Sequence, residues 1–213
     1  IAFIGDSVTY AGGSVKQGDM FVEKVATELG GSLGKKVEPI NISAPGWGLE
    51  NIAAYIARYG VHDADAVMFS LPAAIFLRGR ADAANYNFLH EKYPLRIQYT
   101  LHSATGKLKD ALGLIPAQAR NRDAADRNLK VFRHTLGKLR ADGKKVTVVF
   151  VPTDEGYGQD ELKVLNDYQA VLSDLHIPSL DMAPLLAARP PKEMFFDKIH
   201  FSAEGHKVAT AAM

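Results

Sequence analysis

Cysteine is absent from this 213-residue sequence. That excludes disulfides, thiolate metal sites and a cysteine nucleophile, and it leaves the redox compartment open. Charge imbalance is missing too. The formal net charge is +1, so neither a dedicated nucleic-acid surface nor strong attraction to anionic membranes is expected. No apolar run approaches the length of a membrane span. Repeats and low-complexity segments are absent, and tryptophan occurs once, at Trp47. Glycines follow the first apolar run (Gly5, Gly12, Gly13), but no Gly-Lys-Ser/Thr ending accompanies them and the dinucleotide spacing fails, which sets aside nucleotide binding.

What is present is ordinary globular composition, with 47% hydrophobic and 23% charged residues. The length suits one domain, 1–213, with a sizeable core. The chain begins at Ile1, already inside an apolar run. Upstream sequence is therefore expected, with room for a signal peptide or anchor. A secreted or periplasmic location is favoured over a cytoplasmic one.

Apolar runs alternate with helical patterns, which predicts a parallel sheet with helices on both faces. Strands are expected at Ile1–Ile4, Val37–Ile42, Ala66–Leu71, Val146–Val151 and Ile177–Leu180. Helical spacing marks Phe21–Leu29, stopped by Gly30-Gly31, then Leu49–Tyr59, Ala124–Leu139 and Glu161–Leu175. Ser202 reads as the cap of a last helix, with Glu204 in its first turn. The stretch from Phe76 to Arg122 breaks the rhythm and reads as an insertion carrying scattered aromatics and histidines. Such an insertion either shapes a substrate site or is a structural excursion, and its aromatics either meet substrate or pack locally.

The two ends of the chain hold the chemistry. Ile1-Ala2-Phe3-Ile4-Gly5-Asp6-Ser7 is a strand running into a turn that carries a serine. Near the other end, Asp197 and His200 sit three residues apart, just before the capped helix. A serine hydroxyl needs a base within reach, the base needs an orienting group, and the oxyanion that forms needs backbone N–H donors. Ser7, His200 and Asp197 supply these residue types, with Gly5 expected to allow an unusual backbone angle at the turn. If the fold joins the ends, the chain is a serine esterase or acyltransferase. A metal site built from Asp197, His200 and His206 is the alternative, but its spacing matches no standard metal motif.

These segments resemble the SGNH hydrolase family, also called GDSL esterases and lipases. The first family block resembles Phe3-Ile4-Gly5-Asp6-Ser7-Val8-Thr9, and the last resembles Asp197-Lys198-Ile199-His200-Phe201-Ser202-Ala203-Glu204-Gly205-His206. The second resembles Asn41-Ile42-Ser43-Ala44-Pro45-Gly46-Trp47-Gly48. The resemblance implies a flavodoxin-like α/β/α sandwich around an approximately five-stranded parallel sheet. It also implies acyl-ester chemistry through an acyl-enzyme, with no metal and no organic cofactor. It makes Ser7 the nucleophile with Asp197 and His200, and gives oxyanion donors at Ser7 and Gly46, with Gly48 as the alternative to Gly46. The third block departs. The family expects Gly-x-Asn-Asp after the third strand, whereas this chain has Pro72 at the glycine position and Ala74 at the asparagine position.

Loss of one oxyanion donor costs on the order of 10²–10³ in rate. Arg78, Arg80, Asn85 and Asn87 are candidate substitutes, and Asn51 is a further one. Trp47, Arg78, Asn85 and Asn87 are also candidate substrate contacts, with Trp47 either lining a pocket or covering the sheet edge. The polar and aromatic insertion favours a small acyl group, such as acetyl, on a glycan. The expected activity is ester hydrolysis. An O-acyltransferase using the same triad is the alternative, and a catalytically inactive glycan- or protein-binding domain is the second.

Overall fold

A computed structural model of the chain describes residues 1–11, 15–78 and 122–213. Five strands form one sheet: β1 (Ala2–Gly5), β2 (Ile40–Ser43), β3 (Ala66–Pro72), β4 (Lys145–Val151) and β5 (Ser179–Asp181). All pairings are parallel and the order is β2-β1-β3-β4-β5. The longer helices are α2 (Phe21–Leu33), α3 (Leu49–Tyr59), α4 (Arg122–Ala141), α5 (Gln159–Asp174) and α8 (Ala203–Ala212). Short ones are α1 (Ser7–Tyr10), α6 (Ala183–Ala187) and α7 (Pro191–Met194), with 3-10 turns at Gln17–Asp19 and Ala73–Leu77. Among the described residues, no helix is long and apolar enough to cross a membrane.

Alternation along the strands builds the three layers. Ala2, Ile4, Val67, Phe69, Leu71, Val148 and Phe150 point into one core with Ile52 and Ile56 of α3, Phe132 and Leu136 of α4, and Tyr168 and Leu172 of α5. Phe3, Met68, Val149 and Val151 point the other way, onto Phe21, Val22 and Val25 of α2 and Ala209 of α8. Successive strand side chains face opposite sides, and both faces here are apolar, which is why the strands read as nearly continuous hydrophobic runs.

The expected elements form, with shifted ends. Strand β2 starts at Ile40 rather than Val37, and β5 at Ser179 rather than Ile177. In each case a proline (Pro39, Pro178) sits just before the strand and has no N–H to give the ladder. Helix α2 runs through Gly30-Gly31 and ends at Gly34, whose left-handed backbone (φ 63°) lets its N–H and that of Lys35 cap the last turn. Burial of Phe21, Val22, Val25 and Ala26 outweighs the weak helix propensity of the two glycines. The expected insertion begins with Phe76 and Leu77 buried in the core; positions 79–121, with Arg80, Asn85 and Asn87, lie outside the described residues.

Strand β1 runs to β2 on one side and lies beside β3 on the other. The order of connection reverses at that point of the sheet, the place where open α/β sheets commonly bind ligands beyond the carboxyl ends of their strands. Gly5 pairs with Ser43 and with Ser70, so the loops after β1, β2 and β3 leave the sheet at the same level.

Candidate active site

Ser7 leaves β1 as the first residue of α1. Asp6 caps that turn, its Oδ1 accepting the Val8 N–H at 3.0 Å. Gly5 is required here for space rather than for an unusual backbone angle: its φ is not positive, but a Cβ on it would sit 2.0 Å from Thr9 Oγ1 and 2.6 Å from the Ser70 carbonyl. Thr9 Oγ1 donates to that same carbonyl at 3.3 Å, tying α1 down onto β3. The Ser7 N–H occupies the first helical position, where no intrahelical acceptor exists.

After β2 the chain turns at Ala44–Trp47, closed by the Trp47 N–H on the Ala44 carbonyl at 3.3 Å. Gly46 has φ 78°, which a side chain would strain. Gly48 donates its N–H to Asn51 Oδ1 at 3.1 Å. That bond occupies the Gly48 N–H and puts the Asn51 oxygen at the head of α3. Trp47 packs its ring on Tyr55 of α3, with centroids 5.5 Å apart, against the core on that side of the sheet.

The third wall follows β3. Ala74 lies in the 3-10 turn Ala73–Leu77 and offers only a methyl group. Four residues on, Arg78 sends Nη1 to Asp6 Oδ2 at 3.2 Å and to the Trp47 carbonyl at 3.2 Å. Asp6 is fully buried. Burial pushes its carboxyl up from the ordinary range, opposed by Arg78, the Val8 N–H and His200. Asn128 of α4, also buried, holds this wall from behind by donating Nδ2 to the carbonyls of Phe76 and Arg78 at 2.9 Å each. Sequence reasoning missed Asn128. Its signal was an amide on the same helical face as Phe132 and Leu136, where only a paired polar group is tolerated.

Asp197 and His200 meet as the spacing predicts. Asp197 Oδ2 lies 2.7 Å from His200 Nδ1. A carboxylate only accepts, so this bond places the proton on Nδ1 and leaves Nε2 as the ring's basic nitrogen. Asp197 Oδ1 accepts the N–H groups of Ile199 and His200 at 2.9 and 2.8 Å. Partial burial works against the Asp197 carboxylate, but these N–H groups and the ring outweigh it and hold its pKa below the usual range. The loop is closed by the Phe196 N–H on the His200 carbonyl (2.7 Å) and by the Phe195–Phe201 bridge. The Asp154 N–H reaches the Lys198 carbonyl at 2.9 Å. Ser202 then caps α8 through the Gly205 N–H at 3.0 Å.

A charge on His200 would favour the ionised form of Asp6, the residue just before Ser7. No hydrogen bond joins Ser7 Oγ to His200 among those of the described residues; catalytic bonds of this kind commonly tighten only with substrate. The Asp197–His200–His206 metal alternative fails on geometry. His206 turns its Nδ1 to the Phe21 N–H at 3.2 Å and stacks on the Phe21 ring, and no group of three potential ligands occurs among the described residues.

Beside the triad loop lies a cleft of about 490 Å³, lined by Thr153, Asp154, Tyr157, Glu161, Lys198 and Ile199. Among the described residues, Asp154 Oδ1 is shielded from solvent and has no hydrogen-bond partner.

Comparison with protein families matches residues 1–213 to the GDSL-like lipase/acylhydrolase model. No curated protein sequence matches. Among solved structures, the chain is similar to a catalytic mutant of Axe2, an acetylxylan esterase from Geobacillus stearothermophilus (16% identity, TM-score 0.63, 99% of this chain and 90% of that one). It is also similar to TesA (15%, TM-score 0.64, 99% and 93%). A two-domain esterase active on acetylated mannans matches over 46% of its own length and 100% of this chain (13%, TM-score 0.66). The chain belongs to the GDSL-like lipase/acylhydrolase family of serine ester hydrolases.

Proposed function

We propose that this chain removes acetyl groups from a carbohydrate through a covalent Ser7 intermediate. The observation that carries the reading is the Asp197–His200 pair at 2.7 Å. Ser7 Oγ attacks the ester carbonyl while His200 Nε2 takes its proton, and the negative charge forms on the former carbonyl oxygen. The N–H groups of Ser7 and Gly46 receive that oxyanion. The C–O bond to the sugar breaks, the sugar oxygen takes the proton from His200, and an acetyl-serine remains. Water then gives a proton to His200, attacks the acetyl-serine, and leaves as acetic acid while Ser7 regains its proton. Asp197 holds the ring in the tautomer this cycle needs.

Support for a sugar comes from the cleft beside Lys198 and Ile199, whose lining is largely polar. Esterases of acetylated xylan and mannan share the fold. A secreted or periplasmic location fits a polysaccharide substrate.

Ala74 is the observation behind a second reading, a binding domain without turnover, because the third oxyanion donor is missing there. One experiment decides between them. Purified protein and a Ser7→Ala variant are given 4-nitrophenyl acetate and acetylated xylo-oligosaccharides, and acetate release is followed. Turnover by the parent that vanishes in the variant supports the esterase; equal background rates sink it. Acetylated acceptor appearing when free sugar is added would instead assign O-acyl transfer.

A further inference from the structure

Arg78 links the two loops that carry the proposed oxyanion donors. Its Nη1 bonds Asp6, which caps the turn beginning at Ser7, and it bonds the carbonyl of Trp47, which directly follows Gly46. One nitrogen therefore spans the loops after β1 and β2, and it comes from the loop after β3. The Arg78 backbone is fixed in turn: its N–H donates to the Ile75 carbonyl at 3.2 Å, and its own carbonyl accepts from the buried Asn128. The Asp6 side chain is 1% exposed and that of Arg78 21%. A carboxylate this deep needs a fixed cationic partner, and breaking such a pair leaves an uncompensated buried charge.

We propose that Arg78 is a positioning residue. It clamps the Ser7 turn to the Gly46 turn and so sets the spacing of the two N–H donors, which compensates for the side-chain donor missing at Ala74. This rests on the reading of Ser7 as nucleophile. A planar guanidinium fits the task because it reaches two acceptors at fixed angles. Small displacements matter at this point, since a shift of about 1 Å in a reacting geometry costs on the order of 10²-fold in rate.

The clamp also sets a pH dependence. Asp6 is faced by Arg78 from the loop after β3, by the Val8 N–H of its own turn and by His200 from the triad loop. With Arg78 removed, the carboxyl takes up a proton at higher pH, and the turn loses its fixed geometry there.

The test compares the parent, Arg78→Met, Arg78→Lys and Ser7→Ala on 4-nitrophenyl acetate across the pH range, with thermal unfolding of each. Arg78→Met is expected to lower kcat about 10²-fold with KM little changed, and to move the acid limb of the kcat profile to higher pH. Arg78→Lys is expected to recover part of kcat and to restore the limb. Should Arg78→Met fail to fold, the lysine variant decides alone, through a smaller kcat-selective loss. A rise in KM with kcat intact would overturn the clamp and make Arg78 a substrate contact. Parent-like kcat in the Arg78 variants, or a uniform loss with the acid limb unmoved and no recovery by lysine, would also overturn it. If Ser7→Ala turns over like the parent, the serine reading falls, and the clamp with it. If only the Arg78 variants behave as the parent does, the clamp falls alone.

Discussion

His206 ties the last helix to the head of α2, and acid should loosen that tie. Its Nδ1 accepts the Phe21 N–H at 3.2 Å, a donor that Met20 at the cap position does not satisfy with its side chain. The ring is 1% exposed, stacked on Phe21 and set edge-on to Phe201. Burial, with a smaller push from Lys24 and against Asp19, lowers its pKa from 6.5 to about 4. The folded state therefore resists protonation, while the unfolded chain takes the proton near 6.5. This contribution is fully present above 6.5, shrinks as pH falls, and is exhausted below about 4. With these two values the loss amounts to about 2 kcal/mol by pH 5, and about 3 kcal/mol at its limit.

His206→Phe keeps the ring stack but leaves the Phe21 N–H unpaired, at a cost of about 1–3 kcal/mol near neutral pH. It also removes the titrating group. Urea unfolding of parent and variant between about pH 7.5 and pH 5 should show the parent as the more stable at neutral pH and the two curves converging by about 2 kcal/mol in acid. Parallel curves would refute the reasoning, because the other histidines titrate alike in both proteins.

Asp197→Asn should lower kcat about 10⁴-fold, because an amide NH₂ facing Nδ1 favours the wrong tautomer of His200; steady-state kinetics with an unchanged melting curve would check it. Gly5→Ala should lower the thermal midpoint by about 4 °C or more, as its Cβ collides with the Ser70 carbonyl, which is backbone and cannot swing away. A midpoint equal to the parent's would show that the β1–β3 contact is looser than drawn. Tyr168 has a buried hydroxyl with no partner among the described residues, and burial raises its pKa far above the ordinary value. Tyr168→Phe should therefore hold or raise stability, by up to about 1 kcal/mol in urea unfolding, and a clear loss would reveal a partner for that oxygen.

The sheet was legible because short, nearly continuous apolar runs bounded by prolines and glycines have few other ways to bury both faces. The pairing of Asp197 with His200 was equally legible, since three residues of loop ahead of a capped helix allow little else. Residues far apart in the chain were not. Nothing along the chain says that Arg78 crosses to Asp6 and the Trp47 carbonyl, or that Asn128 braces the wall behind it; those bonds exist only because the ends of β1, β2 and β3 are level. His206 is a similar case: beside Gly205 it read as part of a motif, and burial against Phe21 makes it a structural acceptor. Local patterning and short loops thus determined the strands and the Asp197–His200 loop, and the family resemblance marked the gap at Ala74. Packing across the sheet decided why Gly5 must lack a side chain and which cation meets the buried Asp6, because each depends on distances between segments that sequence spacing does not carry.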